Sequence, residues 1–312
     1  LSDLEEKIKN ISNELLAKWG KDRRTENLEN TILKWLSPVS EEYEKNILIE
    51  LLNNFNYYSR TTMNNCFVEL HSNFVTCEPS HEYSIFTSIK SKDGHVNSSQ
   101  ELIIYYRNIN EVNYSAVIDD LKVLIDKEEW DYVKNIVLID DIIGTGKTII
   151  NYLKNYVEEL KNKKVFILVI EVAEQAYDRL MDFGKENDLS IEIVYVNKFK
   201  KVFFEEHIFK NGEHEKARTV VENRELMLWN GKTDNVLGYQ RTEALTAFVT
   251  NTPNNTLSSF WCESKYVEWY PLFPRRKDEL PKWKKEHINQ KKKKQNSANY
   301  MLKKIKQTER KC

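Results

Sequence analysis

Asp140 and Asp141 are adjacent carboxylates at the end of the apolar run 136–139, and a turn carrying Gly144 and Gly146 follows them. A helical pattern begins at about Thr148. This order brings backbone N–H groups at the start of a helix close to two carboxylates. Backbone N–H groups suit a phosphate; carboxylates suit sugar hydroxyls or a divalent metal. The chemistry these residue types fit is recognition of a ligand that carries a phosphate together with hydroxyls or a cation. Asp140 and Asp141 are the candidate catalytic residues. Ile143, Gly144, Thr145, Gly146, Lys147 and Thr148 are the candidate binding residues of the turn.

Gly146-Lys147-Thr148 also matches the end of the triphosphate loop G-x-x-x-x-G-K-[ST]. That loop opens with a glycine where this chain has Asp141. A carboxylate there repels a triphosphate unless a cation intervenes, so the triphosphate reading fails at one position. A glycine turn in an unrelated α/β protein is the plainer alternative.

The elements that must hold this acidic pair are legible around it. The run 136–139 has the unbroken apolar character of a strand buried on both faces. Residues 164–171 and 191–196 read as further strands, with a helix over 175–183, ending at Gly184, between them. The helix after the glycine turn runs to Leu160. Alternating strand and helix predict an α/β fold with a doubly wound, mostly parallel sheet. Ligands of such sheets lie at the carboxyl ends of the strands, where Asp140 and Asp141 stand. Upstream, 83–90 and 101–106 read as strands flanking a polar loop, 91–99, and 112–125 and 130–133 as helical. Downstream, 213–228 reads as a helix and 244–250 as the last strand. Residues 1–75 read as a helical layer: Leu4, Ile8, Ile11, Leu15 and Leu16 share a face, Gly20 ends that helix, 28–36 form a second, and Ser40 caps a third through Leu52. This gives a helical region 1–80, an α/β domain 81–280 and a tail 281–312.

Val137 to Thr148 follow a pattern of apolar residues, two acids, two apolar residues and x-T-G-x-T. The stretch resembles the loop of the type I phosphoribosyltransferases. A second match narrows the resemblance. Asn251-Thr252-Pro253-Asn254-Asn255-Thr256-Leu257, then Phe260-Trp261, then Trp269, Pro271-Leu272-Phe273-Pro274-Arg275, is similar to the phosphoribosyltransferase-like proteins of bacterial conflict systems, found in anti-phage loci including some retrons. The resemblance spans about 85–275. It implies phosphoribosyl pyrophosphate, or a related nucleotide, as ligand with Mg²⁺. Residues 144–148 would cradle the 5-phosphate, and Asp140 and Asp141 would hold the ribose hydroxyls, directly or through the metal. Position in the chain makes 91–99 the candidate pyrophosphate loop, with Lys92 for charge and Ser98 and Ser99 as donors; a solvated hairpin loop is the alternative. Asn251 and Asn254 can read a base edge or a sugar hydroxyl, and can equally cap turns. Trp261, Trp269 and Phe273 are core or interface aromatics, or one of them stacks on a base.

Gly144 departs from the purine-salvage members, which often carry an aspartate there that meets the base. That puts ordinary purine salvage in doubt and leaves two classes of function. One is a transferase acting as a defence effector. The other is a silent nucleotide sensor or assembly module that holds nucleic acid or a partner, such as a reverse transcriptase complex, through a basic tail. A homo-oligomer is compatible with both.

The tail is the main feature of the charge distribution. From Lys282 onward there are 12 Lys/Arg against 2 Glu, a net of +10, which leaves −11 on the rest of a chain whose total is −1. Lys291, Lys292, Lys293, Lys294, Lys303 and Lys304 are its candidate contacts, and a helix is expected around 301–305. Such a charge either binds nucleic-acid phosphates or docks on an acidic protein surface. Elsewhere, 40% apolar residues support a substantial core, and 8 Gly with 6 Pro point to a helix-rich chain. No apolar stretch reaches membrane-spanning length, and residues 1–6 are too acidic for a signal peptide. Cys66, Cys77, Cys262 and Cys312 lack paired spacing, and the 6 histidines lack a ligand pattern, so a cytoplasmic chain without structural zinc is expected.

Overall fold

The computed structural model describes residues 3–89, 98–276, 281–292 and 294–295. Residues 1–275 form one compact unit and residues 276–312 a second.

The first unit opens with three helices, α1 (Asp3–Trp19), α2 (Leu28–Leu36) and α3 (Glu42–Asn53). Gly20 ends α1 with φ +81°, a left-handed value that glycine adopts without strain. The cap of α3 is Glu41 rather than Ser40, and its side chain makes no capping bond. Strand β1 (Asn56–Tyr58) and helix α4 (Arg60–Cys77) follow, α4 being capped by the Ser59 hydroxyl, which accepts from Thr62 N at 3.3 Å.

The α/β part then runs β2 (Ser84–Thr87), α5 (Ser98–Asn110), β3 (Val117–Ile118), α6 (Lys122–Ile125), β4 (Asn135–Ile143), α7 (Lys147–Leu153), α8 (Val157–Leu160), β5 (Lys164–Ala173), α9 (Glu174–Glu186) and β6 (Ser190–Phe199). Helix α10 (His214–Leu228) and strand β7 (Thr246–Phe248) complete it. The main sheet is parallel, in the order β3-β2-β4-β5-β6, with Ile136 opposite Val165 and Val165 opposite Ile191. The fold is thus the α/β, parallel-sheet class that the strand–helix alternation predicts. Strand β5 is buried from Val165 to Ala173, as a strand covered on both faces must be. One apolar face packs against α7, α8 and α9, the other against α4 and α5.

The strand order fixes where a ligand belongs. From β2 the chain steps outward to β3, then returns past β2 to build β4, β5 and β6 on the other side. The direction of winding therefore reverses between β2 and β4, and crevices form at the carboxyl ends of strands at such a reversal.

Several local expectations are corrected. Residues 101–106 are helix, within α5, and not strand. Leu102, Ile103 and Tyr106 are buried while Ile104 is 58% exposed, a one-sided helical pattern that a period of two would invert. Residues 112–125 are not one helix. Asn113 accepts from Ser115 N and Asp120 from Lys122 N, and these local bonds replace helical ones, leaving a 3₁₀ turn, the edge strand β3 and the short α6. Residues 130–133 fall in and just after a further 3₁₀ turn, Glu128–Tyr132. The helix after the glycine turn breaks between α7 and α8, where the Asn155 amide donates to the carbonyls of Asn151 and Tyr152. Helix α9 continues through Gly184 to Glu186. The last strand, β7, is shorter than 244–250 and pairs with β1 in a separate two-stranded parallel sheet.

Helices α1 to α3 do not stand apart from the rest of this unit. They share a core with Val202, Phe203, α10 and the segment 236–273. Phe55 stacks between Phe260 and Phe273, at ring separations of 4.7 and 5.1 Å. Trp35 and Trp269 both donate to the Ser259 carbonyl, at 3.0 and 2.9 Å. Trp261, Trp269 and Phe273 are all buried, so they are core aromatics and present no face for base stacking.

In the second unit, residues 282–292 are helical, and Lys291, Lys292 and Lys294 are exposed. Lys293, Lys303, Lys304 and the helix expected around 301–305 lie outside the described residues, as do Lys92 and most of the 91–99 loop.

Candidate functional site

At the carboxyl end of β4 a cavity of about 300 Å³ is lined by Asp140, Ile143, the turn residues Gly144, Thr145, Gly146 and Thr148, and, from across the chain, Tyr239, Asn254 and Asn255. The strand changes its pleat here. Leu138 and Ile139 face opposite cores in regular alternation, but Ile142 joins the core of Ile139 and Ile143 that of Leu138. Alternation thus slips across the two aspartates, and both are left partly exposed between fully buried neighbours. One oxygen of each carboxylate is engaged locally: Asp140 Oδ1 accepts from Asp141 N at 3.0 Å and Asp141 Oδ1 from Ile142 N at 2.9 Å.

Protein crowding around the pair raises the pKa of Asp140 well above the ordinary carboxylate range, and the Asp141 charge adds to it. Asp141 is raised by the same desolvation and held lower by its hydrogen bonds and by Arg275. Two adjacent carboxylates with little solvent cannot both ionise freely, and Asp140 is the one pushed further up.

The turn is held from behind by α9. Gln175 Nε2 donates to the Gly144 carbonyl at 3.4 Å and Arg179 Nη1 to the Thr145 carbonyl at 2.5 Å. Because a trans peptide sets its N–H opposite its C=O, the N–H groups of Thr145 and Gly146 point away from α9. Gly146 has φ +71°, and an added Cβ would meet Leu180 and the Ala176 carbonyl at 3.3 and 3.4 Å. The backbone conformation therefore requires glycine there.

At Gly144 the constraint is crowding by neighbouring side chains. A Cβ at this position would lie 2.1 Å from Asn255 Nδ2 and 2.9 Å from Thr242 Cγ2. The Asn255 amide occupies the space a side chain at 144 would fill, and donates to Thr242 Oγ1 at 3.2 Å. The segment 237–243, which carries Thr242, is strained. Leu237, Gln240, Arg241 and Glu243 all have φ between 54° and 58°, left-handed values unusual for residues with side chains. Such conformations cost about 1 kcal/mol or more each and cluster where a chain is shaped around a ligand. Tyr239, within that segment and 41% exposed, lines the cavity.

The other sequence candidates separate clearly. Asn254 lines the cavity, and its carbonyl accepts from Tyr239 N at 2.7 Å. Asn251 is outside the cavity lining and caps its own turn by accepting from Thr252 N at 2.9 Å. Lys147 is exposed and lines a neighbouring depression between α7 and α9 rather than this cavity. Ser99 is buried: its hydroxyl accepts from Ile89 N at 2.9 Å and donates to the Ile139 carbonyl at 3.3 Å, anchoring α5 to the strand end just before Asp140. Tyr239, Asn255 and Thr242 are additions from the structure. Asn255 belongs to the N-T-P-x-N-T stretch, so its composition was visible; its meeting with Gly144 was not.

Among the described residues no group of three or more His, Cys, Asp or Glu is placed to hold a metal by protein ligands alone. Asp140 and Asp141 do fit a Mg²⁺ shared with a ligand. They are hard oxygen donors, one oxygen of each is used locally, and Mg²⁺ commonly binds one or two carboxylates while keeping waters and substrate phosphates. Among the described residues no helix is long and apolar enough to cross a membrane.

Comparison with curated proteins and with solved structures returned no match. A family model, PRTase-CE, matches residues 32–275, which include every element of the cavity. That span is more than three quarters of the chain, and with the parallel α/β sheet and the acid–glycine turn at its switch point it places the molecule: the chain belongs to the PRTase-CE family of phosphoribosyltransferase-like proteins.

Proposed function

We propose that this cavity binds phosphoribosyl pyrophosphate and that the chain transfers its phosphoribosyl group to an acceptor. The observation that carries this reading is the convergence of Asp140 and the turn residues Gly144, Thr145, Gly146 and Thr148 on one cavity. The turn would take the 5-phosphate through its backbone N–H groups and two threonine hydroxyls. Asp140 would receive the ribose hydroxyls through the oxygen it does not spend on Asp141 N, and Asp141 would keep the local field negative. A Mg²⁺ bound with the ligand would neutralise the pyrophosphate leaving group, and Asp140 and Asp141 are the residues to hold it. In the transfer the bond from the anomeric carbon to the pyrophosphate oxygen breaks, the electron pair leaves with pyrophosphate, and the acceptor's lone pair forms the new bond. Carboxylates near the ring favour the positive charge that develops there. Asn255 and Tyr239 present an amide and a ring where the acceptor would approach.

Incubation with phosphoribosyl pyrophosphate and Mg²⁺ tests the proposal. Pyrophosphate should be released, and calorimetry should show saturable binding that the double substitution Asp140→Asn, Asp141→Asn abolishes. Unchanged binding and release in that variant would sink the reading. From the resemblance of residues 251–275 we also infer an effector role in anti-phage defence. The same double substitution should then restore phage plating in cells carrying the chain with its genomic neighbours. Protection that persists undiminished in the variant argues for the silent-sensor alternative.

A further inference from the structure

A second cavity, of about 370 Å³, opens at the carboxyl ends of β5 and β6, with Glu171 in its wall. Glu171 is only 1% exposed. Its partners among the described residues are three neutral donors: Tyr58 Oη at 2.7 Å and Asn56 Nδ2 at 3.2 Å on one oxygen, Asn197 Nδ2 at 2.9 Å on the other. Buried carboxylates are normally paired with a cation. Here no cation among the described residues forms an ion pair with it: Lys18, whose ammonium donates to Asn56 Oδ1 at 3.4 Å, acts on it only through space, while the cavity adjoins the carboxylate.

The rest of the wall carries groups of both signs. Glu174 supplies a second carboxylate, and Asn54, Asn56 and Asn197 carry amide oxygens. Lys198 and Lys200 also line the cavity, but their ammonium groups rest over the rings of Tyr177 and Phe204, at 4.8 and 5.1 Å, and neither ring belongs to the lining. The His207 pKa is lowered by burial and by Lys200 and Lys210, with Glu174 opposing, so its cation is disfavoured. We propose that this cavity is a binding site for a small ligand bearing a protonated nitrogen, an amine, amidine or guanidine, which supplies the counter-charge of Glu171. The site does not depend on the phosphoribosyl reading of the other cavity.

The charge state of Glu171 gives the site a pH signature. Burial raises its pKa to about 7, opposed by the three donors and by Lys18 on α1; the Cys66 thiol on α4, raised by burial to about 11, stays neutral. A permanent cation binds the ionised form. Between pH 8 and pH 6 the ionised fraction falls about tenfold, and affinity should fall with it.

Benzamidine and agmatine, cationic throughout that range, are the probes, titrated into the full chain by calorimetry. Saturable binding at pH 8, about tenfold weaker at pH 6, is expected. Glu171→Gln should remove both the binding and its pH dependence, with the fold checked by circular dichroism. Glu174→Gln, which leaves the buried network untouched, should weaken binding severalfold even if the first variant does not fold. Asp140→Asn should leave benzamidine affinity unchanged. No saturable binding of either probe at pH 8, or binding equally tight in Glu171→Gln or in Glu174→Gln, overturns the proposal, whatever the outcome with phosphoribosyl pyrophosphate.

Discussion

At the scale of single residues, the Gly144–Asn255 contact decides what can stand at position 144. A side chain at 144 and the amide of Asn255 compete for one volume, since an added Cβ would stand 2.1 Å from Nδ2 and 2.8 Å from Cγ. Gly144→Ala should therefore destabilise the fold by about 1–3 kcal/mol through overpacking. Asn255→Ala removes the nearest atoms, so the double variant should recover more than half of that loss in urea unfolding. Additive losses in the two variants would mean that the contact is not what constrains position 144. The acidic pair and the Thr-Gly-x-Thr turn were legible because their meaning is local: a strand end, two acids and a turn are neighbours in sequence. Asn255 carried no such signal. It meets Gly144 where 254–255 pair with Tyr239 and Ala244, beside four left-handed non-glycine residues in 237–243 that no composition rule announces.

At the scale of elements, the segment 251–275 is held in place by the connection after α1. Arg24 donates to the Phe248 carbonyl at 2.5 Å, to Thr252 Oγ1 at 2.7 Å and to the Pro274 carbonyl at 3.0 Å. Thr252 in turn donates to the Phe273 carbonyl, and Arg275 donates to the Thr252 carbonyl. One guanidinium thus ties β7 to both ends of the stretch that carries Asn254 and Asn255. Arg24→Ala should cost about 2–3 kcal/mol, the scale of hydrogen bonds from a charged donor. Arg24→Lys should recover little of it, because a single ammonium cannot reproduce the planar fork. Wild-type stability of the lysine variant in thermal melts would refute this account. Strands β4, β5 and β6 were legible as apolar runs bounded by polar turns. Helix α5 was not, because Leu102-Ile103-Ile104-Tyr105-Tyr106 is rich in strand-favouring types; burial on one helical face overrides that preference. Strands β1 and β7, three residues each and nearly two hundred positions apart, offer no local pattern at all.

At the scale of the whole molecule, buried acids set how stability responds to pH. Glu225 on α10 is fully buried and accepts from Leu237 N at 2.5 Å and Ser259 N at 2.8 Å, with neutral donors in place of a cation. Desolvation outweighs those bonds and raises its pKa to about 7, as it does for Glu171. The ordinary value is 4.5, so between 4.5 and 7 the folded chain holds protons that the unfolded chain has lost. Stability from these two groups is complete below pH 4.5 and is lost as pH rises through 7, by up to about 3 kcal/mol each. Glu78 works in the opposite sense. Burial pushes it up, but Lys164 at 2.6 Å and the Ser80 bonds outweigh that and hold it at about 2, so its contribution is lost only as pH falls from 4.5 toward 2. The two windows place the maximum of stability near pH 5, with a decline toward pH 8. Glu225→Gln should be less stable than wild type at pH 5, since the amide can accept only one of the two N–H bonds, yet its decline from pH 5 to 8 should be about half as steep. Urea unfolding at several pH values reads both slopes. A wild-type stability that is flat or rising across that range would show that Glu171 and Glu225 ionise freely in the folded chain, and that water or a bound cation already reaches them.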